Sequence, residues 1–199
     1  MPYSPIFIVL DGGDGSGTTT HSHLLKGFLE SKGFNVYLTQ EPSKNKIGLL
    51  LREFLKNKDI PPTTDALLFA ADRDLHYHNE IKKKLEEGFI VISDRYIESS
   101  IIYQSVQSDK ISIEWIKEIN KFVSRPDLTI VLDIDPKIAL ARKTNKNFEK
   151  FEDREFLRKV RELYLIRAKQ EGYIVINTDD IIELVQEKIQ GIVMAKLSS

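Results

Sequence analysis

The chain has 199 residues, with 29 Lys and Arg against 30 Asp and Glu, for a formal net charge of -1. That balance offers no cationic field for nucleic acid or an anionic membrane, and the absence of Cys excludes disulfides, thiolate metal sites and Cys nucleophiles. Charged residues at 30% and hydrophobic ones at 41% predict one globular domain, 1–199, and no apolar run reaches membrane-spanning length, so a soluble cytoplasmic protein is expected.

The run Ile6 to Leu10 is short, β-branched and continuously apolar, the pattern of a strand covered on both faces. It enters a glycine-rich turn and then a helix with Leu24, Leu25, Phe28 and Leu29 on one face, closing at Gly33. Val36 to Thr39 reads as a second strand, Ile47 to Leu55 as a helix, and Thr63 opens a long helix reaching Glu87. Phe89 to Ile92 is the third strand, followed by helices over 97–106 and 112–122. Leu128 to Ile134 is the fourth strand, and Pro136 suits the first position of a helix to Arg142. The polar stretch at about 143–152 reads as a short lid over a site or as an ordinary surface loop. A helix over 153–170, a fifth strand over 173–176 and a helix over 181–197 close the chain. Strands alternating with helices in this way predict a three-layer α/β/α fold. Its five-stranded parallel sheet gathers ligand chemistry at the carboxyl ends of the strands.

Gly12-Gly13-Asp14-Gly15-Ser16-Gly17-Thr18-Thr19 nearly matches G-x-x-x-x-G-K-[ST] between a strand and a helix. Backbone N–H groups of such a loop, with the helix N-terminus behind them, make an anion cradle. Thr19 is placed to put its hydroxyl on Mg²⁺. Thr18 stands where the motif has Lys, so the point charge that spans the β- and γ-phosphates is missing. A ligand-free glycine turn is the plain alternative, and a dinucleotide fingerprint is disfavoured because the spacing G-x-G-x-x-G fails from Gly13 and from Gly15.

Asp94-Arg95-Tyr96 lies at the carboxyl end of the third strand and so faces the same cleft. An Asp there can order Mg²⁺ through its waters, and a guanidinium can meet charge spread over the oxygens of a transferring phosphoryl group. Phe69 and Arg73 are one helical turn apart on one face, able to stack a base and grip a phosphate. Their plain reading is Phe69 in the core and Arg73 paired with Asp72 or water.

The segments Asp11 to Gly17, Glu41-Pro42, Leu67-Leu68-Phe69-Ala70-Ala71-Asp72-Arg73, Asp94-Arg95-Tyr96-Ile97-Glu98-Ser99-Ser100 with Tyr103-Gln104, Arg125-Pro126-Asp127 and Leu132 to Pro136 occur together. In that combination the chain resembles the thymidylate kinases, P-loop nucleoside monophosphate kinases, over nearly its whole length. The resemblance implies a homodimer that transfers the γ-phosphoryl of ATP to dTMP with Mg²⁺. It assigns Gly12, Gly13, Asp14, Gly15, Ser16, Gly17, Thr18, Thr19 and Arg142 to ATP, with Arg142 stacked on adenine and Thr178-Asp179-Asp180 bordering it. Thr19 and Asp94 fall to the metal. Pro42 belongs to the dTMP site, where Phe69 stacks on thymine and Arg73 and Arg95 bind the acceptor phosphate. Ser100 and Gln104 lie at the base edge, Tyr103 crowds the 2′ position, and Asp14 contacts the 3′-hydroxyl or the metal shell. Asp14, Asp94 and Arg95 form the catalytic set.

Thr18, Gln40 and Asp11 depart from the family's Lys, Arg and Glu. The expected remedy for the first is a cation from outside the loop: Lys143, Lys146 or Lys150 of the lid, or Lys44. Two rivals accompany this reading: a broader acceptor range that includes dUMP, and a silent nucleotide binder, which would have no use for Arg73, Asp94 and Arg95. His21 with His23, and His76 with His78, are spaced i, i+2 and point apart, so solvated faces are expected of them and no shared metal. Trp115 is expected in packing, and the run Lys82 to Lys84 on a solvated face.

Overall fold

The computed structural model describes residues 4–57, 59–142 and 154–198. Strands β1 (Phe7–Gly12), β2 (Val36–Gln40), β3 (Ile90–Asp94), β4 (Leu128–Asp133) and β5 (Ile174–Asn177) form one parallel sheet in the order β2-β3-β1-β4-β5. The helices are α1 (Thr18–Ser31), α2 (Lys46–Phe54), α3 (Pro62–His76), α4 (Lys82–Glu86), α5 (Ile97–Gln107), α6 (Ile113–Ile119), α7 (Pro136–Arg142), α8 (Arg154–Glu171) and α9 (Ile182–Leu197).

The period of two along each strand divides the core. Ile8, Leu10, Ile90, Ile92, Ile130, Leu132 and Ile176 face Leu25 and Leu29 of α1 and Val185, Ile189 and Val193 of α9. Their neighbours Phe7, Val9, Val91 and Val131 face the opposite layer, which is built from α5, α6, α8 and the helix that carries Tyr77 and Ile81. Each fully buried aliphatic side chain contributes about 1.5–3 kcal/mol, so the continuously apolar strands require helices on both faces.

β5 is an edge strand in which Ile174 and Val175 are exposed and Ile176 is buried. One expectation changes. The long helix expected from Thr63 to Glu87 starts at Pro62 and passes through a π-helical turn, Tyr77–Ile81, before continuing as α4. The wide turn turns Tyr77 and Ile81 into the core. The expected lid lies outside the described residues.

The register sets the site. Leu10 pairs with Asp94, Gln40 with Asp94, and Gly12 with Leu132. The loop after β1, the Asp94-Arg95 step after β3 and the Glu41-Pro42 step after β2 therefore emerge along one edge of the sheet.

Candidate active site

The turn after β1 is held by backbone economy. Ser16 N–H donates to the Gly13 carbonyl at 3.1 Å, and no side chain caps the N-terminus of α1. The first-turn amides of α1 therefore face the turn without a competing side-chain acceptor. At Gly12 a Cβ would stand 2.4 Å from the Leu132 carbonyl oxygen, so only glycine lets β1 pass β4 here.

Asp11 fastens this turn to the far layer. Its carboxylate accepts from Gly12 N–H at 2.9 Å, Ser99 Oγ at 2.6 Å and Tyr164 Oη at 2.7 Å. Burial raises its pKa even though the Arg95 charge and these donors oppose the shift.

Arg95 adopts φ 70, a left-handed conformation that costs a non-glycine residue about 1–3 kcal/mol. The strained step is fixed by Arg95 N–H on the Leu10 carbonyl at 2.9 Å and by Ser93 Oγ donating to the Arg95 carbonyl at 2.7 Å. It aims the guanidinium back at the turn, where it donates to Gly12 O at 2.9 Å, Ser99 Oγ at 3.1 Å and Asp14 Oδ1 at 2.8 Å. Burial alone would lower its pKa, but the Asp14 carboxylate beside it holds it well above the usual guanidinium value. Tyr103 Oη donates to Asp14 Oδ1 and accepts from Asp14 N–H, both at 3.0 Å. Burial, then the Asp14 charge, pushes that phenol up and keeps it neutral.

Beside Arg95, Thr19 Oγ1 donates to Asp94 Oδ2 at 2.5 Å. Asp94 Oδ1 is buried with no hydrogen-bond partner among the described residues. An orphaned carboxylate oxygen next to a threonine hydroxyl fits Mg²⁺, which binds through one or two carboxylates, waters and substrate phosphates.

Two clefts open from this edge. The first, about 150 Å³, is lined by Asp14, Pro42, Phe69, Arg73, Arg95, Ser100, Tyr103 and Gln104 among others. All the residues expected at a nucleoside monophosphate therefore converge. Phe69 is part of this wall and of none of the core clusters, which removes its plain reading. Gln104 is 1% exposed and its Oε1 has no partner among the described residues.

Arg73 also lines this cleft, and its plain reading fails. It is 1% exposed and pairs with Glu41, not Asp72. It donates to Glu41 Oε2 at 2.7 Å, Asn120 Oδ1 at 2.7 Å, Ser100 Oγ at 2.8 Å and Tyr96 O at 3.3 Å. Asp72 instead accepts from Ser43 N–H and Ser43 Oγ, while Arg52 holds the Pro42 and Ser43 carbonyls. Arg73 thus sits at the Ser100 side of the cleft with four donors engaged, and Arg95 alone of the two is bound to the turn.

The second cleft, about 770 Å³, is lined by Gly15 to His21, Arg95, Arg142, Thr178, Asp180 and Ile181 to Glu183. Arg142 donates to the Thr178 carbonyl at 2.8 Å. Arg95 lines both clefts. Of the proposed substitutes for the loop lysine, Lys44 is exposed and lines neither cleft, and Lys143, Lys146 and Lys150 lie outside the described residues.

Several participants went unseen in the sequence. His21 is 4% exposed and hydrogen-bonded to Gln186, not on a solvated face, whereas His23 is exposed as expected. His76 is buried between Thr39 and Glu41, and His78 is exposed. Asn120, Ser99 and Tyr164 act through contacts distant in sequence. Only His21 carried a local signal, being three residues after Thr18 and so on its side of the helix. Arg161, bidentate to Asp133 at 2.7 and 2.8 Å, lines a small cavity with Gly13 and Asp14.

A family model described as thymidylate kinase matches residues 10–189. A "probable thymidylate kinase" of Pyrobaculum aerophilum is 48% identical over 194 residues, covering 92% of this chain and 98% of that protein. A protein of the same name from Pyrobaculum calidifontis is 52% identical over 174 residues, covering 86% and 87%. Another, from Caldivirga maquilingensis, is 40% identical over 198 residues, covering 94% and 96%.

Proposed function

The chain belongs to the thymidylate kinase family of ATP-dependent nucleoside monophosphate kinases, and from that premise we propose how its residues transfer the γ-phosphoryl of ATP to dTMP. The single observation that carries the reading is that Arg95 lines both clefts, so acceptor and donor phosphates meet at one guanidinium.

dTMP occupies the smaller cleft. Phe69 stacks on thymine, Ser100 and Gln104 address its edge, and Gln104 Oε1, without a partner among the described residues, accepts from the base N–H. Tyr103, held by Asp14, closes the space beside the sugar against a 2′-hydroxyl. Arg73 belongs to the base end, where Ser100 is its neighbour, and Arg95 holds the acceptor phosphate. ATP lies over Gly12 to Thr19, with its adenine toward Arg142 and Thr178 to Asp180.

An oxygen of the dTMP phosphate attacks the γ-phosphorus in line. The bond from phosphorus to the β,γ-bridging oxygen breaks, and ADP leaves with the electron pair. The attacking oxygen is already ionised, so no general base is required. The chain supplies positioning and charge: loop amides on the donor and Arg95 between donor and acceptor. Thr19 and Asp94 would hold Mg²⁺, which supplies charge neutralisation on the transferring group.

The whole chain is proposed as one kinase domain, with 143–152 as its lid, working in the cytoplasm; no described helix is long and apolar enough to cross a membrane. A homodimer is proposed through α2 and α3, where Leu49, Leu67 and Leu75 are exposed on adjacent helices.

A coupled assay of ADP release across nucleoside monophosphates tests the reading. ADP formation that requires Mg²⁺ and dTMP is expected, with dUMP and ribonucleotides weaker. ADP formation indifferent to the acceptor would overturn it.

A further inference from the structure

The donor cleft lacks the loop lysine, and its two guanidiniums are engaged: Arg95 by Asp14, Gly12 and Ser99, and Arg142 by Thr178. The third basic side chain lining it is His21. It lies one turn after Thr18 on α1, packed against the turn so closely that a Cβ on Gly17 would stand 3.2 Å from its Cδ2 and 3.7 Å from its Nε2.

Its orientation is fixed from α9. Nδ1 lies 2.8 Å from Gln186 Oε1. The Gln186 amide can meet Nδ1 with its oxygen or, turned over, with its otherwise unpartnered N–H, and in either arrangement the ring cannot rotate without losing that bond. Nε2 has no hydrogen-bond partner among the described residues, although the side chain is 4% exposed. A buried imidazole with one nitrogen anchored and the other uncommitted, on the wall of an anion-binding cleft, is arranged to contact a ligand.

We propose that His21 is a donor-nucleotide contact residue whose Nε2–H donates to the phosphate chain held by the loop, supplying a side-chain donor that Thr18 does not replace. With Nδ1 accepting from the Gln186 amide N–H, the neutral ring carries its hydrogen on Nε2, where the phosphates can accept it. The proposal rests on the phosphate loop being the ATP site.

The direct test is a titration of the isotope-labelled, full-length protein with Mg²⁺ and ADP, followed by nitrogen-15 NMR of the imidazoles and the backbone amides, assigned through bonds. The expected result is movement of the Gly17 and Thr18 amides together with a large shift of His21 Nε2 and none at His78. Loop amides that move while His21 Nε2 stays still would overturn this proposal and leave the ATP site intact. Loop amides that do not move would overturn both. In steady-state kinetics His21→Ala is expected to raise the KM for ATP about tenfold, the loss of one charge-assisted hydrogen bond, with the KM for dTMP unchanged. His21→Gln, which can offer an amide N–H at a similar reach, is expected to recover part of that loss. Equal rises in both KM values would mark a merely structural role and contradict the proposal.

Discussion

The two clefts are built by opposite means. The cleft proposed for the acceptor is made from side chains that are already bonded to one another: Arg73 to Glu41, Asn120 and Ser100, and Tyr103 to Asp14. The cleft proposed for the donor is wide and lined by the glycine turn, the first turn of α1 and the start of α9, with Thr18 where a lysine would stand. A small, shape-specific ligand rewards a pre-organised network, since the entropy of ordering the groups is met on folding. A flexible polyphosphate can be held by amides that the turn orients anyway. Arg95 is the hinge of the comparison, bonded to the turn yet lining the acceptor side.

The largest effect should come from that shared residue. Arg95→Ala is expected to lower single-turnover phosphoryl transfer about 10³-fold or more, measured by rapid quench at saturating ATP and dTMP. A loss confined to KM would mean that Arg95 only binds.

The next break is within the acceptor network. Glu41→Ala leaves Arg73 buried without its carboxylate, at a cost of about 3–5 kcal/mol in stability, read from urea unfolding. A change below 1 kcal/mol would show that the network is not pre-formed.

The smallest effect is electrostatic and sits beneath both clefts. Burial raises the Asp11 pKa above its ordinary 3.8. The unfolded chain then gives up this proton at lower pH than the folded one. Asp11 therefore stabilises below the ordinary aspartate range, and that contribution is lost as pH rises toward the folded value. The stability of Asp11→Asn relative to the wild type should consequently increase as pH rises above 3.8, followed by denaturant unfolding across pH. A flat difference would contradict the shift.

What the sequence disclosed follows the same division. The turn after β1 and the Asp94-Arg95 step were legible because a buried strand ending in glycine or charge is a local pattern with a local cause. The layers were legible from the period of two. Arg73 was seen as a site residue, but its partners were not, because Glu41 and Asn120 reach it from elements 32 and 47 residues away. Asp11 was read only as a departure from a family pattern; that it pins the turn to Ser99 and Tyr164 depends on α5 and α8 docking. His21 was set aside by asking only whether it shared a metal with His23. Gln186, which buries it, lies on the last helix. The place of β5 at the sheet's edge was not legible, because an apolar run does not disclose which strand ends the sheet.

The central claim is that the donor and acceptor phosphates meet at Arg95 within one chain. A bisubstrate analogue joining adenosine and thymidine 5′-to-5′ through five phosphates tests this most directly, in competition titrations against a fluorescent ATP analogue and labelled dTMP. One analogue per chain should displace both ligands, with an affinity that falls in Arg95→Ala. Displacement of only one ligand, or simultaneous binding of the analogue and dTMP, would contradict the account.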